Sequence, residues 1–199
     1  MEKKHFSMIR SFQLADLFTI ANGCCGMGAI FHAMRFQDAG LPRHLWIAAA
    51  LVPLALLFDV LDGSVARWRG KASPLGRELD SLADVISFGV APATIAFAIG
   101  LDTELDQVVL TYFAVCGLSR LARFNITAET LADDKGKVRY FEGTPIPSSI
   151  IPLALLMLAY SLDLLLPVTI GEWRMHLMVV LFAISGSLMI SKTIRIPKP

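Results

Sequence analysis

Polar and apolar residues segregate along this chain into long blocks. Apolar runs occupy roughly residues 17–35, 45–58, 85–101, 107–119, 146–167 and 175–191. Several fall short of the ~20 residues that cross a bilayer, but each can borrow length from polar flanks that face protein or water. The pattern predicts six transmembrane helices, with short connections that make consecutive helices antiparallel neighbours. Ahead of them, residues 2–13 predict a short amphipathic helix lying on the membrane surface. The longest polar segment, 125–147, predicts a loop carrying a short surface helix. No internal repeat breaks this layout. The expectation is an all-α polytopic membrane protein, a six-helix bundle forming a single domain over residues 1–199.

Composition sharpens that picture. Of 199 residues, 55% are hydrophobic and only 18% charged, against about 25% charged in a typical soluble domain. The mean hydropathy is +0.60. The basic start MEKKHFSMIR runs into a full span without a small-residue cleavage site, so no removable leader is expected. Cys24, Cys25 and Cys116 have neither metal-ligand nor disulfide spacing, and they read as small packing residues.

Charge then orients the bundle. With both termini in the cytoplasm, the inside segments 1–16, 59–84, 120–145 and 192–199 hold 15 of the 18 lysines and arginines. Only Arg35, Arg43 and Arg174 fall outside. That asymmetry predicts a multi-pass protein of the cell membrane with both ends inside. Trp46 and Trp173 read as interfacial belt residues.

The chemistry lies in FDVLDGSVARWRGKASPLGRELDSLAD, residues 58–84. Asp59, Asp62 and Ala66 are spaced i, i+3, i+7, and so share one face where the second helix leaves the bilayer. Gly76, Asp80 and Asp84, at i, i+4, i+8, share one face of the third. Gly70 and Pro74 predict the turn between them. Folding about that turn gathers four carboxylates, which repel one another unless cations lie between them. Hard oxygen ligands on rigid helices suit Mg²⁺, Mn²⁺ or Ca²⁺, and two divalent ions would balance four acids. Gly63, Gly76 and Ala66 leave room for a bulky ligand, and Arg67 offers a planar fork to a phosphate oxygen. A deeply placed acid in a span is a functional candidate by default. Together these features describe a pyrophosphate site on the cytoplasmic side.

The string Asp59-x2-Asp62-Gly63-x2-Ala66-Arg67-x8-Gly76-x3-Asp80-x3-Asp84 resembles, position for position, the motif of the CDP-alcohol phosphatidyltransferases. The six-span layout is similar to that family too. DLFTIANGCCG, SLADVISFGVAP, GLSRLARFN and FEGTPIP resemble its serine-using branch. The resemblance implies transfer of the phosphatidyl group of CDP-diacylglycerol to the hydroxyl of serine, with release of CMP. It implies two divalent ions, Mg²⁺ or Mn²⁺, held by Asp59, Asp62, Asp80 and Asp84. Asp84 would also take the proton of the acceptor. Asp16, Thr19 and Asn22 at the inner end of the first span would meet the cytidine, with Gly63, Ser64, Ala66, Arg67 and Gly76 around the CDP-lipid. Arg120, Arg123, Asn125 and Glu142 are candidates for holding serine or the lipid phosphate. Membrane lipids and a second copy in a homodimer are the implied partners, and nothing calls for nucleic acid.

Two rivals stand beside this expectation. Glycerol phosphate or inositol phosphate could replace serine as acceptor, although these anions want a denser basic pocket. A divalent-cation transporter would also place acids in spans. However, IAAALVPLALLF before Asp59 and VISFGVAPATIAFAIG after Asp84 are apolar, which predicts a one-sided pocket and not a conduit.

Overall fold

The computed structural model describes residues 14–69, 74–130, 140–171, 173–191, 193 and 195–197. The surface helix expected over 2–13 lies outside the described residues, as do 70–73 of the expected turn and 131–139 of the long loop. The chain runs α1 (Leu14–Ala39), α2 (Pro42–Arg69), α3 (Pro74–Asp84), a π-helical segment (Val85–Val90) and α4 (Ala91–Ile99). It continues through α5 (Glu104–Thr130), a 3₁₀ turn (Ile146–Ser149), α6 (Ile150–Ser161) and α7 (Val179–Ile190).

The helix ends follow local chemistry. Gly40 takes φ +64° after α1, a left-handed conformation that glycine adopts without steric cost. Pro42 then opens α2, where its missing N–H is no loss. Gly100, at φ +124°, closes α4: Leu101 N–H donates to Ala96 O (3.1 Å) and Gly100 N–H to Phe97 O (3.1 Å), the double closure of a Schellman end. Thr103 caps α5 reciprocally, its Oγ1 accepting from Asp106 N–H (3.3 Å) while Asp106 Oδ2 accepts from Thr103 N–H (3.2 Å).

Small residues bring the helices together. Ala29 and Ala33 of α1, Ala48, Val52 and Ala55 of α2, and Ala91 and Ala96 of α4 are buried, as suits helices that pack by close approach in lipid. α1 lies along α2 and crosses α3, the π segment and α4. At Gly26 a Cβ would come within 2.8 Å of Ser87 Cα, so only glycine permits this crossing. Phe113 of α5 meets Phe182 of α7 edge-on, centroids 5.2 Å apart. Large apolar side chains such as Phe31, Leu57, Leu118 and Ile151 point outward.

Among the described residues, four helical stretches are long and apolar enough to cross a membrane: Leu14–Ala39, Pro42–Trp68, Leu75–Ile99 and Glu104–Ile126. The protein is therefore an α-helical, multi-pass membrane protein. The third is the most enclosed, with 56% of its apolar window buried. The expected fifth and sixth spans are shorter than the hydropathy suggests. α6 stops at Ser161, Asp163 adopts φ 55°, and the chain enters a hairpin of β2 (Pro167–Ile170) and β3 (Trp173–His176). The apolar runs 146–167 and 175–191 thus include ribbon as well as helix, because extended Val168, Ile170 and Met175 are as hydrophobic as helical ones. Asp106, fully buried, pins the hairpin: it accepts from the His176 backbone N–H (2.9 Å) and lies 2.7 Å from His176 Nδ1.

The loop expected over 125–147 is also corrected. α5 continues to Thr130, the described remainder holds strand β1 (Tyr140–Glu142) and the start of the 3₁₀ turn, and the expected surface helix lies outside the described residues. β1 pairs antiparallel with β4 (Arg195–Pro197), Phe141 opposite Ile196.

Candidate active site

α2 and α3 meet at the end of the bundle where their acids lie. Three-residue spacing turns Asp59 and Asp62 to one face of α2, and four-residue spacing does the same for Asp80 and Asp84 on α3. One carboxylate oxygen from each of Asp59, Asp62 and Asp80 lies within 4.8 Å of the other two. Asp62 and Asp84 are each 7% exposed, and Asp80 Oδ1 is buried without a hydrogen-bond partner. Asp84 stands outside the close triad but within electrostatic range of Asp59 and Asp80. Converging, partly buried carboxylates with an orphaned oxygen could hold a cation, and all-oxygen donors fit Mg²⁺, Mn²⁺ or Ca²⁺.

α1 supplies polar partners to these acids. Thr19 Oγ1 donates to Asp62 Oδ2 (2.7 Å), and Asn22 Nδ2 donates to Asp84 Oδ1 (3.0 Å). Ser87, in the π segment one turn beyond Asp84, donates its hydroxyl to the Asn22 backbone carbonyl (2.9 Å). Asp16 is buried beside them. The expected stripe Asp16, Thr19 and Asn22 is therefore at the site, with the Thr19 and Asn22 donors directed to carboxylates. Their spacing was legible in the sequence; their partners were not, because nothing in it tells which neighbouring helix α1 faces.

The outer rim of the site is more open. A Cβ at Gly63 would meet only Arg67 Nη1, at 3.5 Å. Arg67 is exposed on α2, its Nη2 donating to Ser64 Oγ (3.4 Å), while Ser64 Oγ donates to Val60 O (2.7 Å). Ala66 and Gly76 are half-buried on the two facing helices.

The residues expected at the acceptor divide. Arg120, on α5, is 8% exposed with its Nε unpartnered, and it lies within electrostatic range of Asp84. Arg123 Nη1 donates to Ile190 O (3.3 Å) at the end of α7. Asn125 bridges to α3 through Ser81 Oγ (3.1 Å) and Glu78 Oε2 (3.3 Å). Glu142 is described by its backbone alone, as the last residue of β1.

Comparison with known proteins agrees with this arrangement. The family model of the CDP-alcohol phosphatidyltransferases matches residues 12–187. The chain is 44% identical over 210 residues to a CDP-diacylglycerol–serine O-phosphatidyltransferase of Saccharomyces cerevisiae, covering all of this chain and 75% of that protein. Proteins of the same name from Methanocaldococcus jannaschii and Mycobacterium leprae are 33% and 36% identical, over 83% and 74% of this chain. The chain spans 72% and 48% of those two relatives. Since the matched region contains both acid-bearing helices and the α1 stripe against them, the chain belongs to the CDP-alcohol phosphatidyltransferase family.

Proposed function

We propose that this protein is a CDP-diacylglycerol–serine O-phosphatidyltransferase, working at the cytoplasmic face of the cell membrane with both termini inside. The observation that carries this reading is the Asp59–Asp62–Asp80 triad, its oxygens within 4.8 Å, in a chain 44% identical over its whole length to a yeast protein of that name. Residues 1–199 act as one catalytic domain, in a homodimer.

Asp59, Asp62 and Asp80, with Asp84 beside them, would hold two divalent ions, Mg²⁺ or Mn²⁺. Bound there, the ions would neutralise the diphosphate of CDP-diacylglycerol and stabilise departing CMP. Arg67 orients a phosphate oxygen with its planar fork. Asp16, Gly63, Ser64, Ala66 and Gly76 border the space for the nucleotide and the lipid diphosphate. The serine hydroxyl oxygen attacks the phosphorus that carries diacylglycerol. The bond from that phosphorus to the CMP oxygen breaks, and the hydroxyl proton passes to the Asp84 carboxylate. Arg120, buried and with an unpartnered Nε, would pair with the serine carboxylate or the lipid phosphate, helped by Arg123. Asn125 holds α3 against α5, and Glu142 remains the residue expected from the sequence to meet the serine ammonium.

Purified protein in detergent with CDP-diacylglycerol, Mn²⁺ or Mg²⁺ and one acceptor at a time tests the proposal. Serine-dependent CMP release is the expected result. Release that depends on glycerol phosphate or inositol phosphate and ignores serine would overturn the acceptor assignment.

A further inference from the structure

We propose that the hairpin of β2 and β3 is a lipid-docking surface, with one face seated among the headgroups and upper acyl chains of the leaflet opposite the acids. This role is separate from the transfer reaction and holds whichever way the protein faces across the membrane.

The register makes the ribbon two-sided. Val168 lies opposite Met175, Ile170 opposite Trp173 and Thr169 opposite Arg174. Residues opposite one another in an antiparallel pair share a face, and successive residues alternate between faces. Leu177 N–H donates to Leu166 O (3.1 Å), so the pairing continues past the strand ends. Leu166, Val168, Trp173, Met175 and Leu177 therefore stand on one side, and Thr169 and Arg174 on the other. Met175 packs against the core. Leu166, Val168, Trp173 and Leu177 are 52%, 38%, 54% and 49% exposed. An apolar patch of this kind marks an interaction site or, bare in water, a liability.

The depth of the ribbon follows from α5. The apolar stretch Glu104–Ile126 has 23 residues, ~34 Å of helix against the ~30 Å of a hydrocarbon core. Its first turn, which carries Asp106, thus lies at one boundary of that core. Hydrogen-bonded pairs alternate along an antiparallel ladder, so bonding at Leu166 and Leu177 leaves the His176 N–H outside it. Asp106 accepts that N–H (2.9 Å) and lies 2.7 Å from His176 Nδ1. The ribbon is thereby tied at boundary level. It does not sink further, because the outer edges of a two-stranded ribbon carry backbone groups that hydrocarbon cannot satisfy. Nor does it stand clear of the bilayer. Leu158 and Leu162 at the end of α6 are exposed, and the exposed apolar surface continues along the chain into Leu164 and Leu166.

A phospholipid leaflet matches both faces. Trp173 presents an amphipathic ring suited to headgroup level, and Arg174, exposed on the other face, keeps its guanidinium for phosphate and water. The docked ribbon also sets the depth of α7, whose 12 residues make only ~18 Å of helix.

The full chain, reconstituted into phosphatidylcholine vesicles, tests the proposal. Trp46→Phe and Trp68→Phe leave Trp173 as the only tryptophan. Lipid brominated near the carbonyl end of its chains should quench Trp173 more than lipid brominated near the methyl end, and aqueous iodide should quench it little. Iodide quenching without an effect of brominated lipid would put the ribbon in water and overturn the proposal. Stronger quenching by the deep bromines would overturn the boundary depth. Shielding from both quenchers would show protein on this face, a second copy if dilution in lipid relieves it, and overturns lipid docking equally. Spin labels on Val168→Cys and Thr169→Cys, with the three native cysteines replaced and every tryptophan kept, give a second measurement. The label at position 168 should collide more with oxygen, which concentrates in lipid, and the label at 169 more with an aqueous nickel chelate. The same oxygen-to-nickel ratio at both positions would overturn the two-sided docking.

Discussion

At the scale of single residues, the four aspartates are chemically alike and structurally unequal. Asp59, Asp62 and Asp80 converge tightly enough to share a cation, whereas Asp84 is set back and takes the Asn22 amide. Replacing a carboxylate by an amide keeps size and removes both charge and proton affinity. Asp84→Asn should therefore lower kcat by about 10²-fold or more, and spare Mn²⁺ and CMP binding more than Asp59→Asn does. Equal loss of binding in the two variants, measured by titration, would erase the distinction between ligand and proton acceptor. The motif was readable from the chain because fixed three- and four-residue intervals mean one helix face. The partners of the acids were not, since a hydrogen bond across 43 or 62 residues leaves no trace in local spacing. Gly143 shows another local rule with a distant cause. It takes φ +74°, and a Cβ there would collide with Met189 O of α7. Its neighbour Thr144 donates its N–H to Leu188 O (3.2 Å), satisfying a carbonyl that the end of a helix leaves open.

Among the elements, the π-helical segment Val85–Val90 decides where the acids point. It follows Asp84 directly and buries Ser87, Phe88 and Gly89. A π turn holds one more residue than an α turn, and such segments recur at functional sites. Here it sets the phase between the acidic half of the span, α3, and the apolar half, α4. Deleting Val90, which is partly exposed, would restore α-helical phase and rotate α4 by about 100° relative to α3. The buried face of Ala91, Ile95 and Ala96 would then compete with the acids for orientation. We expect weaker Mn²⁺ binding and a lower unfolding temperature in detergent. Wild-type values for both would show that the wide turn does not aim the site. The sequence predicted this span from its hydropathy but not the π turn, since VISFGV has no proline and its single glycine fits either helix. Helix ends were more legible: Gly40, Pro42, Pro74 and Gly100 each stand at a boundary. The hairpin of β2 and β3 was hidden for the opposite reason, because its apolar residues continue the greasy pattern of α6 and α7.

At the scale of the molecule, the four long apolar helices among the described residues make a multi-pass membrane protein, and the asymmetry of lysine and arginine supplies the expected orientation. Single cysteines at Asp163 and Arg195, in a chain with the three native cysteines replaced, report it directly. An impermeant maleimide applied to intact cells should label the Asp163→Cys protein and not the Arg195→Cys protein. The reverse pattern would put the acids on the outer side. At the end opposite the acids, the buried Asp106 and His176 hold the hairpin to α5. At the acid-bearing end, the fastening involves distant parts of the chain. β1 is zipped to β4, Thr144 grips the end of α7, and Arg123 reaches Ile190. The FEGTPIP stretch beside the π segment is thus clasped to the last helix. Moving this stretch would mean dragging that helix along, so its position is set by a buckle between remote parts of the chain and not by any one side chain.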